Sequence, residues 1–184
     1  MRQRLVDAAE EIVRDEGAAA LRLDSVGDRV GLHRSSVYRY FDSKEALLTA
    51  VVVQATLRVG RYVIEELGES AGPEELLVDG LALAMAHIAT DPVHRSLMAP
   101  SASEAMTRVG GRAMTEGIRP LVEPMFAAAE ARGALREGVT PDDALQWLFI
   151  VASGLLRAPG AVPERDELTR LLELMLVPVL LERI

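Results

Sequence analysis

The stretch GLHRSSVYRYFDSKEALL, residues 31–48, decides the fold of this chain. Its first residue, Gly31, ends a short amphipathic segment. A polar and basic segment from Arg34 to Phe41 begins after only two intervening residues. Asp42 and Ser43 then precede a long apolar segment that begins at Lys44. Two short helices joined by a glycine-containing turn, the second of them basic, are typical of a helix-turn-helix whose second helix enters the major groove of DNA.

The residues before this stretch complete a three-helix unit. Residues 3–16 show the one-sided apolar spacing of a helix, and Gly17 follows at the C-cap position. Asp24 or Ser25 is expected to cap the second helix, and Asp42 is expected to cap the fourth. The side chains expected to face inward against the first helix are Val26, Val30, Val37 and Phe41.

The outward side chains of the basic segment carry the chemistry of DNA recognition. Arg34 and Arg39 can offer paired donors to guanine edges, and Ser35 is small enough for a close approach. Ser36, Tyr38 and Lys44 can reach phosphates. Tyr40 and His33 complete the predicted DNA-binding set, which is His33, Arg34, Ser35, Ser36, Tyr38, Arg39, Tyr40 and Lys44.

Composition limits the other functions that the chain could have. The 184 residues carry a formal net charge of −8, but residues 22–44 hold five basic and three acidic side chains, a local charge of +2. The acidity therefore lies elsewhere in the chain, where it can keep the rest of the protein off a polyanion. There is no cysteine, which excludes disulfides, thiolate metal sites and thiol nucleophiles. The sequence begins without an apolar leader, so a cytoplasmic location and no membrane contact are expected.

The remainder of the chain is predicted to be helical throughout. One long helix should run to Gly68 and another from Pro73 to Thr90. Residues 93–117 are expected to form one or two short helices with kinks or mobile loops, because Gly110, Gly111, Gly117 and Pro120 interrupt the pattern. Helices are further predicted over residues 121–132, from Thr140-Pro141 with Thr140 as the cap, and from about Glu164 to the end with a kink at Pro178.

Residues 3–52, and above all the stretch 31–48, resemble the DNA-binding region of the tetracycline-repressor (TetR) family. The resemblance implies an all-α protein with an N-terminal three-helix helix-turn-helix domain, residues 1–46, and a helical-bundle effector-binding and dimerisation domain, residues 47–184. It also implies a homodimer, a palindromic operator on double-stranded DNA and release by a ligand. By the same resemblance, phosphates are contacted by Ser36, Tyr38 and Lys44, and bases are read by His33, Arg34, Ser35 and Arg39.

The C-terminal part is expected to hold an effector and a second copy of the chain. A small, apolar effector, uncharged or weakly charged, is predicted because the most apolar helix, Ala144 to Leu156, contains no Arg or Lys. The candidate ligand residues are Met85, His87, Met98, Met114, Phe126, Trp147 and Val151. The candidate dimer residues, whose apolar surface exceeds what one monomer covers, are Leu148, Ala152, Leu155, Leu156, Leu168, Leu172 and Met175.

Three alternatives remain open from the residues alone. A helical enzyme is disfavoured because the sequence has no nucleotide loop and no Ser/His/Asp arrangement. An activator, or a regulator controlled by a protein, would share the same DNA-binding motif. A metal site at His87 and His94 is disfavoured because Pro92 breaks the helix between them. The sequence therefore predicts a DNA-binding transcriptional regulator that uses no cofactor and no metal.

Overall fold

The computed structural model describes residues 1–68, 71–99, 102–157 and 164–182. These residues form α1 (Arg2–Glu16), a 3₁₀ turn (Ala18–Ala20), α2 (Leu23–Val30), α3 (Arg34–Val37), α4 (Lys44–Leu67), α5 (Pro73–Glu75), a π-helical turn (Leu76–Gly80), α6 (Leu81–Thr90), α7 (Pro92–Met98), α8 (Ser103–Ala131), α9 (Pro141–Arg157), α10 (Arg165–Met175) and α11 (Val177–Leu180). Within the described ranges no β-strand is present, and only Leu135 and Leu181 form an isolated antiparallel bridge. The predicted all-α class is confirmed.

The helices group into two compact units. The first comprises Met1–Thr56 and Ala89–Gly117, and the second comprises Leu57–Ile88 and Ile118–Ile184. Helices α4 and α8 each contribute residues to both units. The first unit therefore holds more of the chain than residues 1–46, and the division into domains 1–46 and 47–184 stays a prediction.

The core of the first unit joins the helix-turn-helix to a later segment of the chain. Val26, Val37 and Phe41 are buried with the apolar face of α1, as the spacing predicts. Val93 and Leu97 of α7 belong to the same core. Burying a side chain of this size stabilises a fold by about 1.5–3 kcal/mol. The segment 92–98 is thus part of the structure that supports the DNA-binding helices.

The core of the second unit is built around Phe126, which is fully buried in α8. Apolar side chains of the π-helical turn, α6, α9, α10 and α11 pack in the same cluster. The end of the chain is held by backbone hydrogen bonds: Arg136 N–H donates to the Leu180 carbonyl at 2.9 Å, and Glu182 N–H donates to the Ala134 carbonyl at 3.0 Å.

Two of the predicted helix caps are wrong. Helix α2 begins at Leu23, before Asp24 and Ser25, and its N-cap residue Arg22 makes no side-chain capping bond. Helix α4 begins at Lys44, so that Ser43, and not Asp42, lies next to its first turn, and the Ser43 hydroxyl accepts from the Ala46 N–H at 3.0 Å. The observed cap of α2 lies two or three residues before the predicted one, and that of α4 lies one residue after it.

Helix α4 contributes apolar side chains to both cores. By length and composition it could cross a membrane, but 44% of its most apolar window is buried inside the protein. Val51, Val52 and Ala55 lie in the first core, and Val59 lies in the second. Helix α4 is therefore a core helix that runs from one unit into the other.

The prediction of short helices or loops over residues 93–117 is wrong for most of the segment. Helix α8 runs without interruption from Ser103 to Ala131 and includes Gly110, Gly111, Gly117 and Pro120. Gly117 is needed for close packing, because a Cβ atom there would lie 2.8 Å from the Thr56 Cβ. Tertiary packing thus overrides the low helix propensity of these residues.

The C-terminal helices follow the predicted starts. Thr140 caps α9, where its hydroxyl accepts from the Asp143 N–H at 3.2 Å and donates to the Asp143 carboxylate at 2.6 Å. The predicted kink near Pro178 is confirmed, since α10 ends at Met175 and α11 begins at Val177. On the outer side of α9, Trp147 and Ile150 are 41% and 48% exposed.

Candidate nucleic-acid interface

The turn between α2 and α3 is held by two glycines. Gly31 ends α2 in the left-handed conformation, with φ of 72°, which non-glycine residues rarely adopt. The Leu32 N–H then donates to the Gly27 carbonyl at 2.9 Å. A Cβ atom on Gly27 would lie 2.8 Å from the Leu32 carbonyl oxygen, so glycine is the residue that allows this approach. The turn fixes α3 against α2.

Helix α3 is shorter than the predicted segment from Arg34 to Phe41. It runs from Arg34 to Val37, and turns continue to Tyr40. Val37 and Phe41 are buried and anchor the segment, whereas Ser36 is half-buried. The remaining predicted DNA-binding side chains of the segment are exposed, namely His33, Arg34, Ser35, Tyr38, Arg39 and Tyr40.

Arg34 is held by one neighbour across the turn, Asp24, and by one in its own segment, Tyr38. Its Nε lies 3.1 Å from Asp24 Oδ1, and its Nη1 donates to Asp24 Oδ2 at 3.2 Å. Its Nη2 donates to the Tyr38 hydroxyl at 3.0 Å, and the guanidinium lies over the Tyr38 ring at 5.4 Å from the centroid. The hydrogen bond to Tyr38 and, next, the charge of Asp24 raise the pKa of Arg34 above its ordinary value. The side chain stays charged and pre-oriented.

His33 and Lys44 have structural roles that the sequence did not reveal. His33 is the N-cap of α3, where its Nδ1 accepts from the Ser35 N–H at 3.4 Å and lies 3.0 Å from the Ser35 hydroxyl. The Lys44 ammonium donates to the Ala19 carbonyl at 3.1 Å, which ties the start of α4 to the 3₁₀ turn. An ammonium has three donors, so this bond does not prevent a phosphate contact.

Arg2 is a basic residue near this face that the sequence reasoning left out. Its guanidinium lies over the Phe41 ring, 4.7 Å from the centroid. Phe41 directly follows the exposed Tyr40, so that Arg2 adds positive charge beside the end of the basic segment. In the sequence, this added charge is indicated only by the two basic residues near the N-terminus, Arg2 and Arg4.

The candidate ligand residues do not form one cluster. Met98 and Met114 lie in the first unit, and the other five lie in the second. Within the second unit, Phe126 is fully buried, Met85 is 8% exposed and Trp147 is exposed. His87 stacks on Tyr62, with ring centroids 4.4 Å apart. Met85, Phe126 and Val151 pack in or against the apolar core of this unit.

A cleft of about 350 Å³ opens on the second unit at a different place. Its lining residues are Gly72, Glu74, Glu75, Val78, Asp79 and Glu173. Four carboxylates around an open cleft do not suit an apolar ligand, because they would lose hydration without gaining partners. None of the predicted ligand residues lines it.

The candidate dimer residues divide into buried and exposed side chains. Leu168 and Leu172 are each 4% exposed inside the core of their own chain, so they offer no surface to a partner. Leu148, Ala152, Leu155 and Leu156 are partly buried against this core. Met175, by contrast, is 70% exposed. The other exposed large apolar side chains of α9 and α10 are Trp147, Ile150 and Leu174.

The two histidines considered for a metal are not joined in a site. His94 is buried, and its Nδ1 lies 3.1 Å from the Asp91 carboxylate, which also caps α7. His87 stacks on Tyr62. Over the described part of the chain, no group of three or more His, Cys, Asp or Glu residues has the arrangement needed to hold a metal ion.

A helix-turn-helix with an exposed basic second helix, joined to a helical C-terminal part, defines a transcriptional regulator of the helix-turn-helix class. Residues 5–51 match the family described as bacterial regulatory proteins, tetR family. The match covers α1 from its fourth residue, all of α2 and α3, and the start of α4. The N-terminal unit of this chain is therefore similar to the DNA-binding region of the TetR family of transcriptional regulators.

Comparison with whole proteins agrees with this assignment. An uncharacterised HTH-type transcriptional regulator of Mycobacterium tuberculosis is 26% identical over 176 residues, which are 96% of this chain and 83% of the relative. The HTH-type transcriptional repressor KstR of the same organism is 26% identical over 72% of this chain and 59% of its own length.

Solved structures share the fold over nearly the full length. NalD, the secondary repressor of the MexAB-OprM multidrug efflux pump in Pseudomonas aeruginosa, is 25% identical with a TM-score of 0.54, and the match covers 100% of this chain and 96% of NalD. The TetR-family repressor QsdR of R. erythropolis has a TM-score of 0.70 at 19% identity, over 100% of this chain and 97% of QsdR. The similarity to QsdR is a similarity of fold, and it covers residues of both units.

Proposed function

We propose that this protein is a repressor that binds a palindromic DNA operator as a homodimer and leaves it when a small effector binds. The observation that carries the proposal is the basic segment 34–41, which is anchored by buried Val37 and Phe41 and exposes Arg34, Tyr38 and Arg39 together. Such a face offers the N–H and O–H donors that base edges in the major groove and phosphates accept. The names of the relatives KstR and NalD as repressors support the same reading. Because its proposed target is DNA, we also propose a cytoplasmic location for the protein.

The predicted DNA-binding residues divide between the two kinds of contact. Arg34 and Arg39 are proposed to read guanine edges through paired N–H donors, with His33 and Ser35 beside them. The proposed phosphate contacts, which set the register of the helix on the duplex, come from Ser36, Tyr38, Tyr40 and Lys44.

Selection from a random duplex library tests the DNA-binding function. We expect the purified protein to enrich one palindromic sequence, whose affinity falls with salt and with Arg34→Ala. Arg112→Ala is the matched control, because Arg112 is an exposed arginine of α8 in the same unit. If no sequence is enriched at low salt, the proposal is wrong. A reporter gene placed after the selected site then distinguishes repression from activation.

The homodimer is proposed to form through α9 and α10. Trp147 and Ile150 are three residues apart and Leu174 and Met175 are adjacent, so that each helix exposes an apolar patch. Two such helices from each chain can bury these patches in a four-helix interface. Leu148, Ala152, Leu155 and Leu156 would lie at its edge, with Leu168 and Leu172 supporting it from inside the chain.

Light scattering and sedimentation test the interface. The wild-type protein is expected at the mass of two chains, and Trp147→Glu with Ile150→Glu is expected at the mass of one. Gln146→Glu, an exposed neighbour on the same helix, is the control and should remain dimeric. A monomeric wild type, or a dimer that survives the double substitution, would contradict the proposal.

The effector is proposed to be small and predominantly apolar and to bind in the second unit. Met85, Phe126 and Val151 supply an apolar environment there, and the stacked pair of Tyr62 and His87 offers a polar edge. Such a mixture of an apolar lining and few polar groups is typical of ligand sites. Trp147 is assigned to the dimer surface, because its side chain is exposed.

Release is proposed to act through α4, which passes from the second unit to the helix-turn-helix. A shift of this helix would change the separation of the two recognition helices, which must lie about 34–36 Å apart, or a multiple of that, to match successive major grooves. The test is a screen of small apolar compounds for loss of operator binding by fluorescence anisotropy. A compound that releases the wild type should lose potency on Val151→Phe, and unchanged potency would exclude this site.

A further inference from the structure

An ion pair crosses the turn of the helix-turn-helix at the proposed base-reading arginine. Asp24 lies in the first turn of α2, and Arg34 is the first residue of α3. The Arg34 Nη1 donates to Asp24 Oδ2 at 3.2 Å, and Nε lies 3.1 Å from Oδ1. Tyr38, one turn later in the chain, engages Nη2 at 3.0 Å. Arg34 is thus already paired with a carboxylate before DNA is present.

This pair is exposed and therefore exchangeable. The Arg34 and Asp24 side chains are 59% and 52% exposed. Exposed ion pairs contribute little free energy, so a better partner can displace the carboxylate. Asp24 nevertheless lies close enough to Arg34 to reduce the attraction of the Arg34 charge for any approaching anion.

Two kinds of DNA acceptor compete with Asp24 on unequal terms. A phosphate attracts Arg34 mainly through its negative charge. Asp24 neutralises the positive charge of Arg34 and also repels the phosphate. A guanine edge carries no net charge and offers two acceptors, N7 and O6, that match the guanidinium fork. The carboxylate therefore penalises phosphate contacts more than base contacts.

From this we propose that Asp24 is a specificity-determining residue. Its carboxylate stays paired with Arg34 when a phosphate approaches and is displaced only by a matching base edge, which we call the masking role of Asp24. The inference rests on the proposed function, since it requires that Arg34 reads a base. In this proposal, an acidic residue of α2 weakens the binding of the protein to DNA sequences other than its operator.

Asp24→Asn is then expected to tighten binding chiefly where binding is non-specific. With Arg34 free to take a phosphate, the salt slope for non-specific DNA should steepen by about one phosphate contact, a change of about 0.9 in log K against log salt. We expect about a 3–10-fold gain in affinity for non-specific DNA and a smaller gain for the selected site, so that the specificity ratio falls about 3-fold or more.

The experiment measures anisotropy of the full-length protein with the selected duplex and with a scrambled duplex of equal length, at several salt concentrations. Asp28→Asn is the matched control, because it removes the same charge from an exposed position of the same helix. Asp24→Glu keeps the carboxylate and should keep the wild-type ratio. Thermal unfolding shows whether each variant is folded.

The outcomes separate the two hypotheses. A lower ratio for Asp24→Asn, absent in Asp28→Asn and abolished in an Arg34→Ala background, supports the masking role. Equal changes in Asp24→Asn and Asp28→Asn, or equal gains on both duplexes, overturn it while the proposed function stands. If the wild type itself shows no preference for any duplex, the proposed function fails and the masking role fails with it.

Discussion

The Gln54 side-chain amide donates to the Glu10 carboxylate at 2.7 Å and so joins α4 to α1. The Glu10 side chain is only 5% exposed, and Gln54 also donates to Asp7 at 3.1 Å and accepts from Gln3 at 2.5 Å. Helix α1 is the support for the DNA-binding helices, and α4 continues into the second unit. These side chains therefore fix the orientation of α4 within the first unit.

Gln54→Leu is expected to lower the free energy of unfolding by about 1–3 kcal/mol. The substitution removes a hydrogen-bond donor from a buried carboxylate, which then keeps its desolvation cost with one partner fewer. Denaturant unfolding at a fixed protein concentration measures the change. Gln3→Leu, at an exposed position of the same group, should cost less than 1 kcal/mol. Equal costs for both variants would show that Gln54 does not support Glu10.

Gly27→Ala is expected to destabilise the helix-turn-helix by about 1–3 kcal/mol. Alanine is normally the better residue inside a helix, by up to about 1 kcal/mol. Here the added Cβ would lie 2.8 Å from a backbone oxygen and 3.0 Å from Val37 Cγ2, so α3 would have to move. Thermal unfolding and DNA binding should both decline.

Ser25→Ala, on the same helix, is the control for that substitution. It should change stability by less than about 0.5 kcal/mol, because Ser25 lies inside α2 and does not cap it. If Gly27→Ala were as stable as the wild type, the close approach of α2 and α3 would be wrong.

Ser43→Ala is expected to cost about 0.5–2 kcal/mol, and Asp42→Ala is expected to cost less. The Ser43 hydroxyl accepts the Ala46 N–H at the start of α4, whereas Asp42 is exposed. Comparing the two midpoints of denaturant unfolding ranks the two residues. A larger loss for Asp42→Ala would restore the cap that the sequence favoured.

The local signals of the sequence predict the helix-turn-helix and its frame. The spacing of Val26, Val37 and Phe41 gives the buried side of the unit, and Gly31 marks the end of α2. These features depend on neighbours within a few residues, which is the range that periodicity and capping rules describe. The choice between Asp42 and Ser43 as the cap falls within the usual error of one or two residues in a helix end.

The features that the sequence did not predict depend on contacts between distant residues. Gly117 breaks a helical pattern when viewed alone, yet it lies inside α8 because Thr56 packs closely against it. The pairing of Asp24 with Arg34 requires the geometry of the turn between them. Likewise, the apolar pattern of α10 does not reveal that Leu172 is buried by its own chain while Met175 is exposed.

Asp143→Asn is expected to lower stability at neutral pH and to lose this effect in acid. Hydrogen bonds from the Thr140 hydroxyl and the Thr140 backbone N–H hold the pKa of Asp143 below its ordinary value of 3.8. A carboxylate with a lowered pKa in the folded state contributes stability that is fully present above the unfolded pKa. That contribution is lost as the pH falls through the lower, folded pKa.

Unfolding midpoints of Asp143→Asn and the wild type should therefore differ at pH 7 and converge as the pH falls below about 4. A constant difference between Asp143→Asn and the wild type down to pH 2 would disprove the role of the Asp143 charge.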